Sequence, residues 1–465
     1  MSPVRPLAVG ADLGSTTIKV GILDEHGRLT RVESEPAPPL AGAGHLREGD
    51  AEAYAAAAEG LLRSVARGVP PGTPLGLATQ RSSFTLWDRR DGLPRFPLVS
   101  WQDRRAAAWC DRHRTLEPEV VRRTGLALSA HYVGPKLAAM QEEDPTFRAA
   151  LHDGDHALGT LETYLAWRWS GGGRHESDLT VAARTAMLDL TTGDWSTELL
   201  ERFGVPATVL PSVVSTEREA IPFDDALRLT ATLSDQAAAA LAVFDPRCTS
   251  ALVNLGTGAF VLRPTDDAAL RRPGYLLAPI LAIGQDAARY ALEGTVNGAG
   301  PAVDSCGPAP TDLSEDDPTP EGYAVPDRAG LGSPYWRPEI GLTLSSGAEE
   351  LPAQDRRRIV LEGLLFRVRQ ILEELCEDRL PERIVLAGGL LRDPAVAPGL
   401  AALLARPVEV LLEPESGLVG ASRLAAGLDP YAASTTENVE PGPRGHYLPE
   451  KFGSWLSWLE QLLSR

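Results

Sequence analysis

Apolar residues in this chain fall into short runs broken by glycine and hydroxyl turns, and into longer segments spaced as one helix face. Residues 8–24 set the pattern. Two apolar stretches flank a tight turn, Asp12-Leu13-Gly14-Ser15-Thr16-Thr17, and read as strands joined by a hairpin loop. A turn at 24–27 leads to a third strand over 29–33, so an N-terminal meander is expected. Residues 36–49 read as loop, and Ala and Leu at helical spacing over 50–67 predict a helix with Asp50 as its N-cap. Short strands follow at 76–78 and 84–88, and helices are expected near 135–140, 159–167 and 237–244. Residues 301–327, acidic and rich in Pro, read as loop. A long amphipathic helix is expected over 352–376. A buried-type strand at 383–390 ends in Gly388-Gly389, another strand covers 408–412, and a small-residue helix covers 416–424. In a terminal helix over 455–463, Trp455, Trp458 and Leu462 make an apolar stripe suited to docking.

The strongest structural clue is internal. Residues 250–262 run strand, Gly256-Thr257-Gly258, strand, and so repeat the design of residues 12–22. Two such loops facing each other can hold one polyphosphate from both sides.

Composition narrows the partners. A chain of 465 residues exceeds what one core organises, so two or more domains are expected. A net charge of −18 argues against nucleic acid and against an anionic membrane surface. The four cysteines are far apart with no CxxC pair, which fits a reducing cytosol and no zinc site. The start has no signal-peptide pattern and no apolar run is long enough to span a bilayer, so a cytoplasmic protein is expected.

The polar groups at the ends of the apolar runs carry the candidate chemistry. Gly14 lets a ligand approach the backbone, and the amides and hydroxyls of Ser15, Thr16 and Thr17 can face phosphate oxygens. Asp12 and Lys19 add one charge of each sign, suited to Mg²⁺ and to phosphate. Gln80-Arg81-Ser82 and Trp101-Gln102-Asp103 follow apolar strands and suit a small hydroxylated ligand, with a flat face from Trp101 and hydrogen bonds from Gln80 and Arg81. A plain ion pair of Asp103 with Arg104 or Arg105 is the other reading of that segment. His131 and Tyr132, ahead of a helix, read either as facing a pocket or, for a lone His, as satisfied within the fold. Asp235 precedes an Ala-rich helix and reads either as its N-cap or as a general base at a domain junction. Gly388 and Gly389, at a strand end, let a flat ring or sugar approach the backbone.

Taken in order, these loops resemble the FGGY family of carbohydrate kinases, in the actin-like ATPase superfamily. The matching segments are Asp12 to Lys19, Thr79-Gln80-Arg81, Trp101 to Arg105, Ser234-Asp235-Gln236, Gly256-Thr257-Gly258, Gly330 to Trp336, Ala387-Gly388-Gly389 and Gly420-Ala421. Within the family they look most like the segments of glycerol kinases. The resemblance implies an α/β fold of two actin-like (ribonuclease-H-like) ATPase domains around a central cleft. It divides the chain into 1–232 on the sugar or polyol side, 233–430 on the nucleotide side, and a 431–465 tail with a docking helix. It implies Asp235 as catalytic base and Asp12 as the residue that helps place Mg²⁺. Gly14, Ser15, Thr16, Thr17 and Lys19, with Gly256, Thr257 and Gly258, would hold the phosphates of ATP, and Gly388 and Gly389 would lie near adenosine. Gln80, Arg81, Ser82, Trp101, Asp103, His131, Asp235 and Gln236 form the expected acceptor site. Two positions depart from glycerol kinases: Ser82 stands where they carry glutamate, and His131 where they carry tyrosine. A serine makes fewer and weaker hydrogen bonds to vicinal hydroxyls than a carboxylate.

The expected activity is ATP- and Mg²⁺-dependent phosphorylation of a hydroxyl on a small polyol or sugar, a glycerol-like polyol favoured. A pentulose or other sugar is the alternative within the family. A non-catalytic ATP or sugar sensor and an actin-like or chaperone ATPase are the alternatives of other classes. No nucleic-acid or membrane partner is expected, and assembly as a homodimer is left open.

Overall fold

The computed structural model describes residues 5–244, 249–282, 288–307, 321–376, 380–413, 415–429, 431, 435–442 and 445–464. The expected meander forms: β1 (Pro6–Leu13), β2 (Thr17–Asp24) and β3 (Leu29–Pro36) pair antiparallel in sequence. Helix α1 (Ala51–Val65) follows, and the Asp50 carboxylate accepts from the Glu52 and Ala53 amides as its N-cap. The chain then returns as β4 (Thr73–Thr79), parallel to β1. After a long excursion, β5 (Glu217–Pro222) and β6 (Leu227–Ser234) complete a six-stranded sheet of order β5-β6-β4-β1-β2-β3, with β6 parallel to β4. Helix α2 (Asp235–Leu241) starts directly at the end of β6.

The second half repeats this plan. β7 (Ser250–Leu255), β8 (Ala259–Thr265), β9 (Leu276–Leu281) and β10 (Arg289–Val296) form the antiparallel part. After helix α3 (Ala353–Cys376), β11 (Arg383–Ala387) lies parallel to β7, and β12 (Val408–Leu411) lies parallel to β11. With the edge strand β13 (Thr436–Val439) the order is β9-β10-β8-β7-β11-β12-β13. In both sheets the first hairpin is flanked by a parallel strand, so the echo read between residues 12–22 and 250–262 is an echo of topology.

Helix α4 (Ser416–Ala425) belongs to the second half in sequence but packs on β1, β4 and α2. Its small residues allow this. A Cβ on Gly76 would lie 2.0 Å from the Ala421 carbonyl oxygen, and one on Gly420 would lie 2.0 Å from that of Ala238. The terminal helix α5 (Leu448–Leu463) starts earlier than the 455–463 pattern suggested and docks as expected. Trp455 is fully buried, its indole N–H donates to the Ala324 carbonyl at 2.8 Å, and Phe366 of α3 lies 5.6 Å from its ring.

Two other expectations change. Residues 159–167 do not form one helix: His156–Thr160 is a strand paired to Phe84–Asp88, and the helix runs Leu161–Trp169. The cross-strand partner decides this, because an apolar run of that length suits either state until something pairs with it. The 301–327 loop begins inside a helix, Ala299–Asp304, whose Ala302 and Val303 are buried; residues 308–320 lie outside the described residues. Among the described residues, no helix is long and apolar enough to cross a membrane.

Candidate active site

Strand register assembles the site. Leu13 of β1 and Ser234 of β6 both pair with Thr79 of β4, so three adjacent strands end at one level. The loops leaving them carry Gly14–Thr16, Gln80–Ser82 and Asp235, at the carboxyl edge where α/β sheets bind ligands. In the second sheet Asn254 of β7 pairs with Ala387 of β11, which brings the Gly256–Gly258 and Gly388–Gly389 turns side by side. Gly388 has φ +105, and a Cβ there would lie 2.3 Å from the Leu255 carbonyl oxygen, so only glycine fits between the two strand ends.

The alternative reading of Asp235 as an N-cap is resolved by its neighbour. The Ser234 hydroxyl accepts from the Ala237 amide and caps α2, leaving Asp235 as the first helical residue. Its carboxylate accepts from the Gln236 amide at 2.7 Å and lies 3.5 Å from the Arg81 guanidinium. Its side chain is 35% exposed. Burial raises its pKa above the ordinary carboxylate range, with Arg81 opposing. Asp12, across the same space, is raised to about 7 by burial and by the charge of Asp235, with Lys19 opposing. Lys19 itself pairs with Glu415, just ahead of α4, at 2.7 Å.

Arg81 has a second carboxylate. Glu293 of β10 lies 3.2 Å from it and 3.4 Å from Arg184, and is buried. Burial works against the charge on Glu293, but Arg184 and Arg81 hold its pKa below the ordinary value. The Arg184 guanidinium also lies 5.6 Å from the Tyr132 ring centre. Neither Arg184 nor Glu293 was singled out from the sequence. The available signal was weak: each is a lone charge inside an apolar or small-residue run.

The other expected acceptor residues take different places. Trp101 is 38% exposed and stacks on His131, with ring centres 6.2 Å apart. Burial and the nearby Arg104 lower the His131 pKa to about 4, so the ring is neutral. Gln80 donates to the Gly14 carbonyl at 3.4 Å and accepts from Ser83, which ties the acceptor loop to the turn after β1. The Gln236 side-chain oxygen is buried with no hydrogen-bond partner among the described residues. Ser82 is buried at φ +62, and its hydroxyl donates to the Arg184 carbonyl at 2.6 Å, so it is spent on the protein. Asp103 is fully buried, held by the Arg105 guanidinium at 2.8 Å and by the Arg47 amide at 2.7 Å. It braces the loop that presents Trp101, which is the ion-pair reading of this segment. Tyr54 was not anticipated either; its hydroxyl donates to the Gly14 carbonyl at 2.7 Å.

Residues 7–233 match the N-terminal domain of the FGGY family of carbohydrate kinases, and residues 251–427 match its C-terminal domain. The chain belongs to the FGGY family of carbohydrate kinases. A glycerol kinase from Methylobacterium nodulans is 31% identical over 443 residues, covering 87% of each chain. One from Trichlorobacter lovleyi is 32% identical over 79% of this chain and 78% of its own. Among solved structures, Plasmodium falciparum glycerol kinase with ADP superposes with a TM-score of 0.84 at 18% identity, over 98% of both chains. The ligand-bound xylulose kinase from Lactobacillus acidophilus also gives 0.84 at 18% identity and 98% coverage of both. The expected two-domain fold is therefore the one observed, and this FGGY kinase is a phosphotransferase acting on a small molecule, with ATP the donor used in the family.

The donor set of this FGGY kinase also bears on a metal. Among the described residues, no group of three or more His, Cys, Asp or Glu could cage an ion. Mg²⁺ bound to a nucleotide needs no cage, since one or two carboxylates plus phosphates and water suffice. Asp12 fits that role. Its carboxylate has no hydrogen-bond or ion-pair partner among the described residues, and a cation would offset the burial and repulsion that raise its pKa. Gly417 keeps the space beside it open: a Cβ there would lie 3.3 Å from Asp12 Oδ2.

Proposed function

We propose that this chain transfers the terminal phosphoryl group of Mg·ATP to a hydroxyl of a small polyol, glycerol-like in size, with Asp235 as general base. The observation that carries the reading is the freedom of Asp235. Ser234 does the capping, so the Asp235 carboxylate stays in the cleft beside Arg81 with capacity to accept a proton.

An alcohol is a poor nucleophile at neutral pH. The acceptor hydroxyl would give its proton to an Asp235 oxygen as the new O–P bond forms and the bond to the ADP oxygen breaks. The raised pKa of Asp235 strengthens it as a base. Arg81 would orient a neighbouring hydroxyl, the exposed face of Trp101 would pack on the carbon chain, and the orphan Gln236 oxygen would accept a further hydroxyl. Gly14 to Thr17 and Gly256 to Gly258 would hold the phosphates, with Lys19 balancing their charge, and Gly388-Gly389 would leave room for adenosine. Mg²⁺, held through Asp12 and the phosphates, would neutralise charge on the transferring group. Most of the rate would come from alignment and charge neutralisation.

One observation favours a pentulose instead. Ser82 offers no carboxylate to grip vicinal hydroxyls, and its own hydroxyl is bonded to Arg184. A panel of glycerol, tetritols, pentuloses and hexoses, read by coupled ADP release, tests both readings. A polyol turned over faster than any ketose supports the first, a pentulose preference supports the second, and no turnover with any acceptor refutes both.

A further inference from the structure

Arg81, in the turn after β4, and Arg184, in the short 3-10 helix Ala183–Thr185, both belong to the first half of the chain and reach one carboxylate of the second half, Glu293. Glu293 is 2% exposed in the middle of β10, between Leu292 and Gly294. An Arg–Glu–Arg group of this kind is a weak source of stability, because the desolvation of three charges cancels much of their attraction. Its effect on geometry is larger. The Arg81 guanidinium lies 3.2 Å from Glu293 on one side and 3.5 Å from Asp235 on the other. Guanidinium and carboxylate groups favour two parallel hydrogen bonds when nothing competes. Without Glu293, Arg81 would have Asp235 as its sole carboxylate among the described residues. Full pairing would occupy the Asp235 oxygen that has to take the acceptor proton.

We propose that Glu293 is a positioning residue that acts through Arg81: it holds the guanidinium between the two halves, off Asp235 and available to the acceptor's hydroxyls. The proposal rests on reading Asp235 as the base. It makes the second half of the chain a contributor to the acceptor site through one ion pair. It also explains why a carboxylate is buried in the middle of β10, between Leu292 and Gly294. Arg184 shares the charge of Glu293, so that the two guanidinia face two carboxylates, Glu293 and Asp235, and the group is balanced.

The test uses two variants of the full chain. Glu293→Gln keeps the shape but leaves a buried guanidinium uncompensated, and it is destabilised on that account. The double variant Glu293→Gln/Arg184→Gln removes one charge of each sign and restores the balance. In the crystal structure of the ligand-free double variant, the Arg81 guanidinium is expected to rotate into two-point contact with Asp235. Its kcat is expected to fall by about tenfold or more, because the base is occupied. Its KM for ATP should stay within about twofold of the unmodified enzyme, because no nucleotide contact changes. A structural role alone would be repaired by the charge-balanced pair. Arg81 found in its original place, or kcat within about twofold of the unmodified enzyme, overturns the proposal. The Arg81 position is read without turnover. Failure of the base assignment would show separately, as full activity in Asp235→Asn.

Discussion

Lys19 on β2 and Glu415 ahead of α4 form an ion pair of 2.7 Å between side chains 396 residues apart. The lysine expected to balance the charge of ATP is thus already engaged by a carboxylate of the other half. If Lys19 holds the phosphates as proposed, they compete with Glu415 for it. The pair is partly exposed, 32% and 22% for the two side chains, so its own strength is about 1 kcal/mol or less. Glu415→Gln should therefore tighten ATP binding by about fivefold at most, and Lys19→Ala should weaken it. Calorimetric titration with a non-hydrolysable ATP analogue measures both. Weaker binding in Glu415→Gln would mean that Glu415 aims the lysine instead of competing for it.

Asp235→Asn keeps the size of the side chain and its acceptor for the Gln236 amide. It should lower acceptor-dependent ADP formation by about 10²–10⁴-fold with little change in ATP affinity. Steady-state kinetics with the best acceptor from the panel, together with nucleotide titration, separates the two effects. Near-full turnover would remove Asp235 from its assigned role.

Asp12 gives a pH dependence with a definite sign. Its folded pKa is raised to about 7 from the ordinary 3.8. Between those values the folded state holds a proton that the unfolded chain has lost. The stability associated with that proton is full below pH 3.8 and is lost as pH rises through about 7. Asp12→Asn removes the cost of burying the charge. It should raise the Tm by a few degrees at about pH 8 and leave it unchanged at about pH 4. The same variant should lose Mg-dependent turnover. Thermal scans across pH in metal-free buffer check the first statement. A Tm gain of equal size at both pH values would mean that burial of charge is not its source.

Gly76→Ala tests the seam between β4 and α4. The added methyl would lie 2.0 Å from the Ala421 carbonyl oxygen, a backbone atom that yields only if the helix moves. Overpacking of this kind costs about 1–3 kcal/mol or more. Urea denaturation should show the loss, and because α4 also lies on β1 and α2, ATP affinity should fall with it. An unchanged denaturation midpoint would show that the seam is loose.

How much of this was legible beforehand depended on how local the signal is. The Asp12–Thr17 turn, its echo at Gly256–Gly258 and the 352–376 helix each carry their evidence within a few turns of chain. All three formed nearly where periodicity put them. The helix expected over 159–167 gives up its first two residues to a strand because a short apolar run becomes a strand or a helix only when a partner is supplied, and the partner, Phe84–Asp88, is remote in sequence. Asp103 and Asp235 illustrate the same limit at the site. Both are aspartates just past an apolar strand, and nothing local distinguishes them. One is enclosed by Arg47 and Arg105, while the other is left in the cleft because Ser234 took the cap.

By itself the sequence determined the turns, the strand periods, the duplicated plan and the family, since turn chemistry and side-chain alternation act between neighbours along the chain. Only the tertiary structure decided which charges meet. Glu293 pairs with Arg81 and Arg184, Glu415 with Lys19, and the Ser82 hydroxyl turns away to the Arg184 carbonyl. Burying a charge demands a partner, and the partner is chosen by how two sheets and the helix α4 close on one cleft, a property that no segment of the chain carries alone.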